Sequence, residues 1–128
     1  MNIDRFNERK QELIKAVQRL EEACMQPFSS FIRDSVIQRF EFCWELSWKT
    51  LRLKLESEGL LANTPRETWQ QALQIGLIHD GNAWSEAQKN RNLTSHTYDE
   101  KLAEDVYRYI LKEGYPLFHK LAGEAVKW

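Results

Sequence analysis

Arg91, Asn92, Ser95, His96 and Tyr98 fall within a stretch of eight residues, Arg91-Asn92-Leu93-Thr94-Ser95-His96-Thr97-Tyr98. An arginine is a permanent cation with a planar fork that matches phosphoryl oxygens. A histidine titrates near neutrality and moves protons. Together they suit metal-free cleavage of RNA. One imidazole takes the 2′-hydroxyl proton, and the guanidinium neutralises the charge that grows on the phosphate. The leaving oxygen also needs an acid. The stretch has one histidine, so a second copy of the chain in a dimer is the natural source of another.

The spacing decides whether these groups can meet. Five residues on one straight helix amount to about 140° of rotation, which points Arg91 and His96 apart. They converge only if a helix ends between them. Thr97-Tyr98-Asp99-Glu100 reads as a capping box, which predicts that break and starts a new helix at Tyr98. The ordinary alternative is an arginine placed favourably at a helix C-terminus beside a loop histidine.

The elements around this stretch read as helices. Ile3, Phe6, Leu13, Val17, Leu20 and Cys24 share one face of a first helix over about 3–25, capped by Asn2 or Asp4. The second helix starts near Ser29 or Ser30 and reaches Glu58, before Gly59. Its apolar positions are Phe31, Ile32, Val36, Phe40, Cys43, Trp44, Leu51 and Leu55, with Phe42, Leu46, Trp48 and Leu53 widening the stripe. A face this wide implies two neighbours, one of which can be another subunit. Thr64-Pro65-Arg66-Glu67 is a capping box for a third, short helix ending around Gly76 to Ile78. A fourth helix begins near Asn82, and a fifth runs from Tyr98 to about Lys112. Gly114-Tyr115-Pro116 kinks or interrupts it before a last piece, Leu117 to Val126. No stretch reads as a strand. The expected fold is all-α: an antiparallel up-down four-helix bundle with a short additional helix, one domain over 1–128, dimeric.

Composition narrows the partners. Eighteen Lys and Arg stand against nineteen Asp and Glu, a net charge of -1. No global field draws in nucleic acid, so a polyanion must meet a local cluster of cations; no DNA partner is expected. Cys24 and Cys43 lie far apart without zinc spacing and read as reduced core residues. No apolar run approaches the roughly 18 residues of a membrane span, and the first residues lack a signal-peptide core. A cytoplasmic location is expected.

Other reactive side chains are less well arranged. His79 belongs to the turn His79-Asp80-Gly81, and His119 to a helix surface or interface. Glu41 and Glu45, at i, i+4 on the long helix, line a polar cleft or serve as surface ion-pair partners. No metal-ligand pattern and no Gly-rich phosphate loop is present in the sequence.

Arg91 through Tyr98 resembles the Arg-x4-His-x-Tyr motif of HEPN domains. Phe40-Glu41-x-x-Trp44-Glu45-x-x-Trp48-Lys49 and the Thr64-Pro65-Arg66-Glu67 start resemble the branch known as nucleotidyltransferase substrate-binding proteins. The likeness covers nearly the whole chain. It implies a dimeric helical bundle with the motifs near the dimer cleft, working in a hetero-oligomer with a minimal nucleotidyltransferase. It also implies a toxin ribonuclease in which Arg91 and His96 are catalytic and Asn92 is a supporting polar residue. Tyr98 is then the hydroxyl that the partner modifies with AMP, using ATP and Mg²⁺, while RNA cleavage itself needs no cofactor. The alternative implied by the same family is a non-catalytic subunit that binds a nucleotide or other substrate for the transferase. A plain helical interaction protein is the third reading.

Overall fold

The computed structural model describes residues 3–128, and every regular element in it is helical. Helix α1 spans Ile3–Cys24, α2 Ser30–Ser57, α3 Pro65–Gln74, α4 Gly81–Leu93, α5 Glu100–Tyr109 and α6 Tyr115–Ala125. A single 3-10 turn, Thr94–His96, follows α4, and a π turn, Ile110–Gly114, joins α5 to α6.

Side-chain contacts fix the directions. Arg39 donates to the Arg19 carbonyl at 2.6 Å, and the Thr50 hydroxyl lies 3.4 Å from the Arg9 carbonyl. Helix α2 therefore runs back along α1. Lys10 donates to the Trp128 carbonyl at 3.3 Å, and the Tyr115 hydroxyl donates to Glu21, so α6 is antiparallel to α1 as well. The expected up-down path holds, with α1, α2, α4 and the α5–α6 rod as its four members and α3 as the short addition.

The core forms where the helical stripes meet. Phe40 and Phe118 rings lie 5.4 Å apart, Trp44 and Trp84 6.1 Å, and Trp84 and Phe118 6.3 Å. These contacts bring α2, α4 and α6 together behind the candidate site. Val17, Leu20, Cys43, Leu51 and Leu55 are buried as their spacing predicts. Three expected inward residues face out instead: Ile3 in the first turn of α1, Phe31, which is 84% exposed, and Phe42, on the outer side of α2. Phe31 lies at the overhanging start of α2, where Arg33, Val36 and Ile37 take the inward positions.

Helix ends follow local chemistry. Ser29 caps α2 by accepting from the Ile32 N–H at 3.1 Å. Asn2, one expected cap of α1, lies outside the described residues, and Asp4 sits in the first turn of that helix. Gly59 and Gly76 both take φ +78, and Leu60 and Leu77 donate back to the Leu55 and Ala72 carbonyls at 2.9 Å. This is the Schellman arrangement, and it ends α3 at Gln74, slightly earlier than the apolar spacing implied. Glu67 donates its N–H to Thr64 as expected, but its carboxylate accepts from Asn63 rather than from Thr64. Asp80 caps α4 from the left-handed region, φ 66, by accepting from the Ala83 N–H at 3.1 Å.

The kink at Gly114-Tyr115-Pro116 takes the form of the π turn. Pro116 cannot donate an N–H, and the Tyr115 N–H reaches back to the Ile110 carbonyl, one residue further than in an α-helix. Helical backbone is unbroken from α5 through the π turn into α6, so the two form one rod.

Candidate functional site

The break between Arg91 and His96 is present, but Thr97 does not make it. The Thr97 hydroxyl donates to the Thr94 carbonyl at 3.1 Å, and Glu100 is engaged by Arg33 at 2.6 Å. Both members of the expected capping box are thus occupied elsewhere. Asp99 caps α5 instead, its carboxylate accepting from the Leu102 N–H at 3.1 Å. Helix α5 therefore begins at Glu100, and Tyr98 precedes the helix rather than lying in its first turn.

Arg91 sits in the last turn of α4 with its side chain 26% exposed. Its Nη1 donates to the Thr94 hydroxyl at 3.0 Å, and that hydroxyl donates to the Arg91 carbonyl at 2.7 Å. The residue and the turn that follows it are therefore locked together. On the α2 side the guanidinium lies 3.6 Å from Glu41 and 3.8 Å from Glu45. Glu45 is oriented by the Trp48 indole N–H at 3.1 Å. The Arg91 Nε is buried with no protein partner. Arg91 is held by geometry on three sides, while two carboxylates temper its charge.

His96 closes the 3-10 turn and is exposed. Its ring meets the edge of Tyr98 at 6.2 Å between centroids, and Tyr98 is 84% exposed. The two groups are thus sorted separately: Arg91 with Thr94, Glu41 and Glu45, and His96 with Tyr98. Among the described residues no hydrogen bond joins Arg91 to His96. Asn92 is one position round the helix and faces the other way, into a groove between α3 and α4 that also holds Arg66, Gln88 and Lys89.

Two positioning residues were not visible in the sequence pattern. Thr94 looks like an ordinary loop threonine until its hydroxyl is seen between the Arg91 side chain and carbonyl. Arg33 is buried, with its side chain 6% exposed, and bridges Asp34 at 3.1 Å and Glu100 at 2.6 Å. It ties the start of α2 to the start of α5 and so anchors the far end of the site loop. Arg33's hydrogen bond, and then its charge, hold Glu100 below the usual carboxylate range. No sequence spacing links positions 33 and 100.

The remaining candidates lie apart. His79 borders a groove with Asp80, Glu86, Tyr109 and Lys120. His119 lies 3.3 Å from the Tyr115 hydroxyl, and Ser29 is occupied as a cap. Among the described residues, no three His, Cys, Asp or Glu side chains converge as metal ligands. No helix among them is long and apolar enough to cross a membrane.

A family model described as nucleotidyltransferase substrate binding protein like matches residues 8–127. The chain belongs to this family. A curated relative is probable ribonuclease HepT of Haemophilus influenzae, 37% identical over 97 residues. That alignment takes in 67% of this chain and 64% of the relative, so the chain spans just under two thirds of the relative's length. A solved protein from Thermus thermophilus matches with a TM-score of 0.81 at 33% identity, over 88% of this chain and 98% of its own. A second structure, from Haemophilus influenzae, is described as revealing the fold of a substrate binding domain of a nucleotidyltransferase. It matches with a TM-score of 0.69 at 27% identity, over 98% of this chain and 99% of its own. The all-helical fold and the HEPN-related, nucleotidyltransferase substrate-binding family read from the motif are both confirmed.

Proposed function

We propose that this protein is a toxin-type, metal-independent endoribonuclease restrained by a minimal nucleotidyltransferase that transfers AMP to Tyr98. The observation that carries the reading is the His96–Tyr98 pair: an exposed imidazole with an exposed phenol at its edge, in a turn anchored at both ends. The relative named as a probable ribonuclease and the family's nucleotidyltransferase description support it from outside.

In the cleavage step His96 accepts the proton of a ribose 2′-hydroxyl. The freed oxygen attacks the adjacent phosphorus, the bond to the 5′-oxygen breaks, and that oxygen takes a proton from an acid supplied by the second protomer of a homodimer or by water. Arg91 faces the phosphate and stabilises the charge of the crowded intermediate. In the restraining step the Tyr98 oxygen attacks the α-phosphorus of ATP and pyrophosphate departs. ATP and Mg²⁺ arrive with the partner. The product carries a bulky nucleotide and a phosphodiester charge beside His96, which blocks RNA by bulk and repulsion.

Expression of the wild type against Arg91→Ala and His96→Ala tests the nuclease. Growth arrest and RNA cleavage are expected from the wild type alone; three equally harmless proteins with intact RNA would sink the idea. Incubation with the partner, ATP and Mg²⁺ tests the switch, with AMP-sized mass gain expected for the wild type and none for Tyr98→Phe.

A second reading, a non-catalytic subunit that presents a nucleotide or other substrate to the transferase, is favoured by one observation. Arg91 rests between Glu41 and Glu45 rather than facing solvent unpaired. It predicts binding of a mononucleotide and no change in RNA.

A further inference from the structure

The grooves of this nearly neutral protein differ sharply in charge. The depression beside Thr97 is lined by Asp34 and Glu41, which are already paired with Arg33 and Arg91, and the groove at His79 sets three carboxylates, Asp80, Glu86 and Glu113, beside Lys120. The α3–α4 groove is the reverse. About 300 Å³ in volume, it carries Arg66 and Lys89 and no carboxylate.

Its other polar groups are donors too. Ser85, Gln88, Lys89 and Asn92 recur at i, i+3, i+4 and i+7 along one face of α4. The Gln88 carbonyl accepts from the Trp69 indole at 2.6 Å, which leaves the amide N–H groups for a ligand. Arg66 stands in the first turn of α3, where the helix dipole is positive. Among the described residues, the side chains of Arg66, Ser85, Lys89 and Asn92 have no hydrogen-bond or ion-pair partner. A donor-rich, carboxylate-free groove with two unneutralised cations is built for an anion.

The groove also adjoins the site. Arg91 and Asn92 are consecutive on the last turn of α4, one facing α2 and the other facing α3. A chain of phosphates crossing that turn meets both.

We propose that the α3–α4 groove is a phosphate subsite, which holds the single-stranded RNA backbone next to the phosphate presented to Arg91. The subsite is indifferent to base sequence, because its contacts are to phosphate oxygens. The proposal rests on the RNA-substrate reading above and adds the direction in which the strand leaves the site: toward α3, along the two unpaired cations.

The test uses the full chain and a fluorescein-labelled oligouridylate with 2′-O-methyl sugars, which binds but lacks the attacking hydroxyl. Anisotropy titrations over a range of KCl give the affinity and its salt slope. For Arg66→Ala/Lys89→Ala the slope is expected to become shallower by about 1.4, two contacts at roughly 0.7 each, with affinity weakened about tenfold or more at moderate salt. A control pair of equal charge, Lys15→Ala/Lys112→Ala, should keep the wild-type slope, and Arg66→Lys should keep it too. All four residues are exposed, so unchanged melting temperatures are expected throughout. An unchanged slope in the groove variant, or equal losses in both pairs, overturns the subsite while RNA binding by the wild type leaves the ribonuclease reading standing. No binding by the wild type overturns both. A groove variant that binds RNA normally but no longer associates with the nucleotidyltransferase also overturns it, and marks the groove as a protein-docking face.

Discussion

Arg91 illustrates how little of a site's energetics a motif conveys. Its spacing to His96 is readable, but the groups that hold it, Thr94, Glu41 and Glu45, come from a turn and from another helix. An incoming phosphate must share the guanidinium with two carboxylates 3.6 and 3.8 Å away. Glu45→Gln keeps an acceptor for the Trp48 indole and removes one of those charges. RNA affinity is expected to rise about two- to fivefold, the scale of a partly exposed ion pair worth under ~1 kcal/mol. Anisotropy titration against the wild type reads this directly, and a fall in affinity would mean that Glu45 positions Arg91 more than it competes for it. Thr94→Val is the opposite case. It removes both hydrogen bonds of the Arg91 lock while preserving shape, and should cost about 1 kcal/mol of stability. RNA cleavage should fall more than binding, since a cation left free to wander still attracts phosphate but no longer meets it in register. Comparing kcat with KM for the variant separates the two.

The helices themselves were largely legible, because apolar spacing and caps are local. Ser29, Thr64, Gly59 and the break before α5 could all be read from neighbours in the chain. At the start of α5 a distant residue intervened. Glu100 does not complete a box with Thr97 because Arg33, far away in sequence, has taken it. Asp99 then becomes the cap, and Tyr98 is left outside the helix and in solvent. Asp99→Ala should destabilise the protein by about 1 kcal/mol, visible as a lowered denaturation midpoint, whereas Thr97→Ala should lose less. Equal losses would restore Thr97 as the cap. The π turn is set locally by Pro116, but the glycine within it answers to a distant residue as well. A Cβ at Gly114 would lie 3.0 Å from the Tyr109 ring and 3.1 Å from the Phe40 ring. Phe40 is fully buried against Phe118 and has nowhere to go. Overpacking of this kind costs roughly 1–3 kcal/mol, more than the ~1 kcal/mol that alanine gains in helix propensity. Gly114→Ala is therefore expected to lower the melting temperature despite replacing a poor helix former with the best one.

At the scale of the whole molecule, the core that sets α4 against α2 also controls the two thiols. Burial pushes Cys24 up to about 11 and Cys43 up to about 12, with Glu21 adding to the first. Each folded thiol thus holds its proton more tightly than an unfolded one, whose value is about 8.5. The sign follows: below about pH 8.5 neither thiol biases folding. As pH rises from there toward 11, the unfolded chain ionises first and the fold loses stability. At about pH 8 the thiolate that alkylating reagents need is scarce in the native state. Both cysteines should therefore label slowly with iodoacetamide in buffer and quickly in denaturant. Cys24, half-buried, should precede the fully buried Cys43. Mass spectrometry across a urea series would then report unfolding at two depths of the α1–α2 interface. Rapid native labelling of Cys43 would mean that this interface opens far more readily than its packing implies.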